Sequence, residues 1–467
     1  NCKTAKLSPI IPIFIKKNQI MKRRNFLKNT SAAAAGITIG GMGMTAKSYG
    51  NIMGANDRLR VGIVGFSNRA RGSLIPAFLS QSEATNMEIV GVSDIWNRRR
   101  KEAKEYFDEK GIKVKTYRNN EELYDSKTTD AVIISTADFQ HALHLAQAVE
   151  ANQDVYVEKP FAETMADARV ALKAAKEKGT VVQVGSQRRS GSNYHAANEF
   201  IKSGKFGKIT VAEMTWNVNQ PGRWRLPELT ASIKEKDTDW NRYLMNRPFE
   251  PWDPRKYLEY RLFWPYSSGI PGQWMCHQID TVHWFTDIPH PRTVSANGGI
   301  YMWKDGRENF DTMTAVFEYG PVNKPEEGFQ VIYSSRQHNS AGGVKEVYYS
   351  NGGSLNLANN MVTPEGGLTE RYASRMNMDP FLLEEYKLPE VEVTTAADTG
   401  SDNMTTTHMR NWMDCIRSRK ETNAPVEAGY NHSIAVIMTT AALRTGQRVT
   451  FDEASQEVMA GNKVFRY

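Results

Sequence analysis

Val155-Tyr156-Val157-Glu158-Lys159-Pro160 reads as a short apolar strand that runs directly into an acid, a base and a proline. In a parallel α/β sheet, ligands bind outside the carboxyl ends of the strands. Lys159 stands at such an end, and Pro160 restricts its backbone. The stretch therefore predicts that Lys159 faces a ligand. From these six residues alone, a solvated Glu-Lys pair at a strand end is an equally good interpretation.

Apolar strands and helices alternate on both sides of this stretch. The other predicted strands are Leu59–Gly65, Met87–Asp94, Asp130–Thr136 and Thr180–Gly185. The predicted helices are Leu74–Leu79, Arg98–Lys110, Gln140–Ala151 and Thr164–Lys178, the last with a capping box at its start and a glycine after its end. Strands that alternate with helices of this length predict a parallel, doubly wound sheet.

The hydrophobic pattern changes to a period of two after Ser186. Strands with this period are Lys208–Trp216, Met313–Tyr319, Phe329–Ser335, Val344–Ser350 and Ser354–Leu357, and two helices follow at His408–Arg419 and Tyr430–Gly446. This pattern predicts an open, mainly antiparallel sheet. The expected fold class is α/β, with a Rossmann dinucleotide-binding domain at residues 57–185 and an α+β substrate domain at residues 186–467.

Charge and cysteine content exclude several classes of function. The net charge is +7, but residues 1–50 hold nine Lys or Arg and no acid, so the rest of the chain carries 7 − 9 = −2. A nearly neutral body gives no support for a nucleic-acid or membrane partner. Three cysteines form neither a disulfide framework nor a zinc spacing, and we expect no metal.

Residues 1–56 are expected to hold upstream sequence, an export signal and a linker. Arg23-Arg24-Asn25-Phe26-Leu27-Lys28 precedes a short apolar run rich in glycine, which is a poor membrane span. The pattern resembles a twin-arginine export signal, which carries folded proteins and predicts a periplasmic location.

The turn after the first strand reads Gly65-Phe66-Ser67-Asn68-Arg69-Ala70. The dinucleotide fingerprint is G-x-G-x-x-G/A, and Ser67 replaces its middle glycine. Asp94, at the end of the second strand, can bind a ribose 2′-hydroxyl and favours NAD. Arg98 and Arg99 could instead serve a 2′-phosphate, so NADP stays open.

This fingerprint, Ser135-Thr136 with His141, and Glu158-Lys159-Pro160 together resemble the Gfo/Idh/MocA family of NAD(P)-dependent oxidoreductases. The resemblance covers about residues 57–452 and implies that Lys159 is catalytic. It assigns cofactor contacts to Gly65, Ser67, Asn68, Arg69, Asp94, Ser135, Thr136, His141, Glu158, Lys159 and Gln187. The stretch from Gln187 to Arg189 resembles family members that act on sugars, and makes Arg188 a substrate candidate.

A second group of substrate candidates lies in the tryptophan-rich part of the chain. Seven of the ten Trp, Trp264 among them, fall between residues 216 and 284. Their rings suit the apolar faces of a sugar, but at least half of them are expected in ordinary core or interface positions.

A helix that begins near Pro271 would place Gln273, His277, Asp280 and Trp284 on one face, with Met275, Ile279 and Val282 on an apolar face. The alternative is that the polar stripe faces water. Many family members carry Asp-x-x-x-His here, so His277 is expected to accept the proton. Gln273 replaces the aspartate and cannot hold a counter-charge beside His277. Gln273, His277 and Asp280 are all candidates for contact with the substrate.

The main hypothesis is an exported oxidoreductase that acts on a sugar and forms homo-oligomers. Lys159 hydrogen-bonds the reacting hydroxyl, and His277 removes its proton. Because the periplasm has no replenished NAD pool, the cofactor should be held tightly and recycled within each turnover. Reduction of a second sugar would do this. So would glycoside cleavage by oxidation, elimination, hydration and re-reduction, as in the similar NAD-dependent glycosidases of glycoside hydrolase family 109. The third alternative is a non-catalytic sugar-binding protein.

Overall fold

The computed structural model describes residues 57–388 and 403–466. The predicted export signal and the rest of residues 1–56 lie outside the described residues. The described part is built on two sheets, one parallel and one mainly antiparallel.

The first sheet has six parallel strands in the order β3-β2-β1-β4-β5-β6. Its strands are β1 (Leu59–Val64), β2 (Met87–Ser93), β3 (Lys115–Tyr117), β4 (Ala131–Ile134), β5 (Asp154–Val157) and β6 (Val182–Val184). The helices between them are α1 (Ile75–Thr85), α2 (Asn97–Asp108), α3 (Asn120–Asp125), α4 (His141–Glu150) and α5 (Met165–Lys178). The strand order reverses between β1 and β4, which is the Rossmann arrangement, so the predicted class is confirmed. Strand β3 was not predicted, because three residues carry no readable period.

The second sheet has eleven strands in the order β14-β13-β12-β11-β7-β10-β9-β8-β15-β16-β17. The strands are β7 (Ile209–Asn217), β8 (Thr293–Gly299), β9 (Thr312–Tyr319), β10 (Phe329–Arg336), β11 (Val344–Ser350), β12 (Gly353–Asn356), β13 (Met361–Thr363), β14 (Tyr386–Lys387), β15 (Val449–Asp452), β16 (Glu457–Ala460) and β17 (Lys463–Val464). Only the β7–β10 pair is parallel, which confirms a mainly antiparallel sheet. Strand β8 was missed because its end, Asn297-Gly298-Gly299, reads as a turn.

The remaining helices are α6 (Ser192–Lys202), α7 (Pro227–Ser232), α8 (Trp240–Leu244), α9 (Pro254–Leu258), α10 (Cys276–Thr286), α11 (Glu370–Ala373), α12 (Asn403–Ser418) and α13 (Val426–Thr445). Helix α13 is buried on nearly every side and shares one hydrophobic cluster with Val184 of β6 and Val294 of β8. This continuous core brings the carboxyl end of β5 close to α10. The division into domains at residue 185 stays a prediction.

Among the described residues, no helix is both long and apolar enough to cross a membrane. Cys276 and Cys415 are buried free thiols. Within the same ranges, no cluster of three His, Cys, Asp or Glu side chains is placed to hold a metal ion.

Candidate active site

The turn after β1 forms one wall of a cleft at the carboxyl ends of the parallel strands. Gly65 has a φ of +86°, and a Cβ atom there would lie 2.8 Å from the carbonyl oxygen of Ser135, so glycine is required. Ser67 Oγ lies 2.7 Å from Ser135 Oγ and accepts the Ala70 N–H at 3.2 Å. The serine that replaces the middle glycine thus ties the turn to the end of β4.

Asp94 lies at the end of β2 on the same wall. Its carboxylate accepts the N–H groups of Phe66, at 2.9 Å, and Trp96, at 2.8 Å. Burial raises the pKa of Asp94, and these N–H groups partly offset the effect. Arg99 also lines the cleft and donates to Asn68 Oδ1 at 2.9 Å. The aspartate suited to NAD and an arginine suited to NADP are therefore both present.

The cleft has a volume of about 190 Å³, and its wall fits a dinucleotide. The close turn at Gly65 lets a pyrophosphate approach the backbone at the start of a helical segment. Thr136 Oγ1 is buried in this wall without a hydrogen-bond partner among the described residues, which is the mark of a polar group that a ligand completes. The donors and acceptors of the wall suit NAD(P).

The opposite wall comes from residues 219–266, which we call the roof segment. Leu226, Tyr243, Tyr257, Tyr260 and Arg261 line the cleft from this side. Aromatic side chains of the roof segment form a hydrophobic cluster with residues that follow β2 and β4. The cluster contains Trp96, Ala137, Phe139, Ile233, Trp240, Tyr243, Leu244, Tyr257, Leu262, Phe263 and Tyr266. The aromatic richness of this stretch is visible in the sequence, but its position over the cofactor cleft was not predicted, because no local pattern signals it.

Polar contacts anchor the roof segment to the first sheet's helices. Arg247 Nη1 lies 3.1 Å from Asp167 Oδ2 at the start of α5, and both side chains are buried. Gln140 Nε2 donates to the Tyr243 carbonyl at 2.7 Å. These contacts hold the roof segment against the cleft.

The Glu158-Lys159 pair lies at the carboxyl end of β5, as predicted. Glu158 Oε1 accepts Arg69 Nε at 2.8 Å and Gln187 Nε2 at 3.2 Å. Burial opposes the charge of Glu158, but Arg69 and Lys159 outweigh it and lower the pKa of this carboxyl. Lys159 is half-buried, its Nζ donates to the backbone carbonyl of Gln273 at 2.5 Å, and burial lowers its pKa. The arrangement brings Lys159 to the helix predicted to carry the proton acceptor.

His277 is the second residue of α10 and is half-buried. Its ring stacks on Trp216, with 6.0 Å between the ring centroids. Trp216 in turn stacks on Trp274 at 6.1 Å, and Trp224 lies tilted against Trp274 at 5.6 Å. We call these three indoles the tryptophan shelf. Burial and the charge of Lys159 lower the pKa of His277 well below its ordinary value, so the imidazole is neutral and can accept a proton.

The helix around His277 differs from the predicted one. Pro271–Met275 forms a π-helical turn before α10, so the polar residues do not form one open stripe. Gln273 and Asp280 are 7% and 1% exposed, and the water-facing alternative is wrong. Gln273 Oε1 accepts Arg261 Nε at 2.9 Å, and its Nε2 donates to Asp138. The amide of Gln273 is therefore engaged within the protein rather than presented to a substrate.

Two predicted substrate residues form buried ion pairs instead. Asp280 pairs with Arg189, with Nε–Oδ2 at 2.7 Å, and Arg189 and His432 lower its pKa against the effect of burial. Arg188 pairs with Glu346. Such pairs leave little capacity for a ligand, since each charge is neutralised by its partner.

His141 and Trp264 also need correction. His141 is buried behind the cleft, with Nδ1 2.8 Å from the Pro160 carbonyl and Nε2 3.3 Å from that of Thr136. It positions the two strand ends and does not line the cleft. Trp264 packs against Arg444, at 4.7 Å, and Phe465, at 6.0 Å, rather than with the tryptophan shelf.

The fold and the cleft define a class, the NAD(P)-binding Rossmann proteins. Residues 59–186 match the Gfo/Idh/MocA family, described as "Oxidoreductase family, NAD-binding Rossmann fold". Residues 59–186 therefore form an NAD(P)-binding Rossmann domain similar to that of the Gfo/Idh/MocA oxidoreductases, and the expected cofactor class is confirmed.

Two curated relatives illustrate the sequence similarity. An inositol 2-dehydrogenase of Salmonella typhimurium is 28% identical over 168 residues, which is 36% of this chain and 49% of the relative. A 1,5-anhydro-D-fructose reductase of Ensifer adhaerens is 31% identical over 196 residues, or 40% of this chain and 56% of the relative. The chain thus matches about half the length of these relatives.

Solved structures show the same fold over most of the chain. A WlbA dehydrogenase from Bordetella pertussis, crystallised with NADH and UDP-GlcNAcA, has a TM-score of 0.60 at 16% identity and covers 85% of this chain and 98% of its own. An aldose-aldose oxidoreductase from Caulobacter crescentus has a TM-score of 0.57 at 16% identity, with 84% and 100% covered.

Proposed function

We propose that the chain is an exported oxidoreductase that oxidises a CH–OH group of a sugar or glycoside with tightly held NAD(P). The observation that carries the proposal is the meeting of Lys159, at the end of β5, with a neutral His277 beside the tryptophan shelf. The relatives named for inositol and anhydrofructose support a polyhydroxylated substrate. The Arg23-Arg24 pattern supports export.

Lys159, His277 and the tryptophan shelf have separate roles in the proposed reaction. NAD(P), when bound, supplies the hydride acceptor. Lys159 donates a hydrogen bond to the reacting hydroxyl and favours the developing alkoxide. His277 accepts the hydroxyl proton, which its neutral state permits. Trp216 and Trp274 of the shelf are buried in the core behind His277, and the partly exposed ring of Trp224 offers an apolar face to the C–H face of a sugar.

A redox-neutral glycosidase is the second candidate, and the roof segment favours it. A cleft covered by Tyr243, Tyr257 and Tyr260 would slow exchange of its cofactor. A retained cofactor must return to its starting state within each turnover. Oxidation of a glycoside, elimination of the aglycone, addition of water and re-reduction would achieve this.

The first experiment is to purify the protein without added nucleotide, denature it and identify any released dinucleotide by mass spectrometry. About one NAD(H) per chain would support a retained cofactor, and glycosides should then be screened for released aglycone. With NAD added as the oxidant, net keto-sugar formed in excess of the bound cofactor would support simple oxidation and argue against the glycosidase. An empty protein that binds NAD weakly would argue against tight retention.

The catalytic assignment is tested with Lys159→Met. We expect carbohydrate-dependent turnover to fall about 10²–10³-fold, because loss of a hydrogen-bond donor to a developing alkoxide costs on this order. Lys173→Met is the matched control, since Lys173 is an exposed residue of α5 that pairs with its neighbour Glu177. Equal turnover in the two variants would contradict the role of Lys159.

A further inference from the structure

Asp138 is a buried carboxylate that the proposed chemistry leaves without a role. It opens the short helical turn Asp138–Gln140 after β4 and is 1% exposed. Its Oδ2 accepts Ser267 Oγ at 2.6 Å and also accepts the side-chain amide of Gln273. A charge at this depth persists only with partners, so its surroundings indicate what it serves.

Gln273 joins Asp138 to the catalytic lysine. Its Nε2 donates to Asp138, its Oε1 accepts Arg261 Nε at 2.9 Å, and its backbone carbonyl accepts Lys159 Nζ at 2.5 Å. Gln273 therefore links the buried carboxylate of Asp138 to two cations, Arg261 and Lys159. The carbonyl that receives Lys159 belongs to the π-helical turn Pro271–Met275, and the Gln273 side chain ties this turn to Asp138.

The charges that face Lys159 come from several elements. Glu158 precedes it just after β5, Cys276 lies on α10, Arg261 on the roof segment and Asp138 after β4, and all four act on the pKa of Lys159. Burial raises the pKa of the Cys276 thiol to about 12, so the thiol is neutral. Arg261 opposes the lysine charge. The two carboxylates, Glu158 and Asp138, therefore supply the attraction.

Glu158 is already shared with another cation, because Arg69 Nε lies 2.8 Å from its Oε1. A third carboxyl, Glu163, contributes no charge at neutral pH, since burial and then Asp138 raise its pKa to about 8. Asp138 Oδ1 lies 4.0 Å from Arg261 Nη2, so on the side facing the roof segment Asp138 is the carboxylate that balances Lys159 and Arg261 together.

We propose that Asp138 is a positioning residue that holds the Lys159 ammonium against the Gln273 carbonyl and supplies its buried counter-charge. This role rests on the proposed function only where turnover is concerned. It also explains how an uncharged Gln273 can occupy the position where a carboxylate is expected. The charge is carried instead by Asp138, which follows β4 and accepts a hydrogen bond from the Gln273 side chain.

The test is Asp138→Asn, which removes the charge and keeps the shape. The readout that needs no substrate is the rate at which acetic anhydride acylates Lys159, followed by peptide mass spectrometry across pH. The acylation midpoint should fall by about one pH unit, since a nearby opposite charge shifts a pKa on this order. In turnover, the variant should lose at least tenfold in kcat, with KM for the carbohydrate within about threefold and the alkaline limb moved to lower pH.

Asp130→Asn is the matched control, because Asp130 lies just before β4, at its opposite end, and pairs with Arg60 on the surface. Asp138→Asn with an unchanged Lys159 midpoint would overturn the proposal. The double variant Asp138→Asn/Gln273→Glu moves the carboxylate one link closer to Lys159 and should restore the midpoint, whether or not the single variant folds. Failure to restore it would count against the role. A wild-type protein without carbohydrate turnover would defeat the proposed function, whereas the acylation midpoints would still decide the role of Asp138.

Discussion

Arg247→Met is expected to accelerate the loss of dinucleotide from the protein. Arg247 and Asp167 form a buried ion pair, 3.1 Å between Nη1 and Oδ2, that ties the roof segment to the start of α5. Removal of one partner leaves an uncompensated buried charge, which costs about 3–5 kcal/mol. If about 3 kcal/mol of this is lost from docking of the roof segment, release should become roughly 100-fold faster, at 1.4 kcal/mol per factor of ten.

The assay loads the protein with NADH, adds excess NAD and follows the fluorescence of the displaced NADH. Lys256→Met is the matched control. Lys256 pairs with Glu250, so this ion pair lies wholly inside the roof segment. Its release rate should stay within about threefold of wild type, since a partly exposed pair contributes about 1 kcal/mol or less.

One result would refute the reasoning: Arg247→Met lowers the free energy of unfolding but releases NADH no faster than Lys256→Met. The barrier to release would then lie outside the roof segment. Conversely, Arg247→Met/Asp167→Leu should recover much of the lost stability, because an apolar replacement of both partners leaves no buried charge.

Three further predictions concern the cleft, the buried acid and the shelf. Asp94→Ser should weaken NAD at least tenfold and NADP much less, measured by calorimetry, because its carboxylate suits a 2′-hydroxyl; equal losses would contradict this. Glu163 stays protonated in the folded state up to about pH 8 but ionises near 4.5 when unfolded, so its contribution to stability falls as pH rises between these values, by about 1.4 kcal/mol per pH unit. In urea unfolding, the free energy of unfolding of Glu163→Gln should therefore rise relative to that of wild type as the pH increases from 5 to 8. A difference between the two proteins that does not change with pH would count against the raised pKa of Glu163. Trp224→Leu should raise KM for the carbohydrate about tenfold and leave NAD affinity unchanged, because Trp224 is the partly exposed ring of the shelf; Trp252→Leu, elsewhere in the roof segment, should not raise that KM, and the opposite pattern would move the sugar site.

Most of the first sheet could be predicted from local sequence. Strands β1, β2, β4, β5 and β6 are apolar runs that end at turn residues, and each was predicted within one or two residues. The short strands β13 to β17 could not be predicted, because two to four residues carry too little period and pair only when neighbours supply hydrogen-bond partners.

The candidate site divides in the same way. Gly65, Asp94 and Lys159 were predicted because each follows a strand at the edge where ligands bind. The predictions that Arg188 and Asp280 contact substrate were wrong, because their ion-pair partners, Glu346 and Arg189, are distant in sequence. An ion pair between distant elements leaves no local signal.

The sequence by itself determined the doubly wound sheet, the dinucleotide turn and the position of Lys159 at a strand end, because strand period, turn glycines and strand ends are local properties. Tertiary structure alone decided that the roof segment covers the cleft and that Asp138 reaches Lys159 through Gln273. Both depend on contacts across more than 80 residues of chain, and such contacts form only when a shared core brings the elements together.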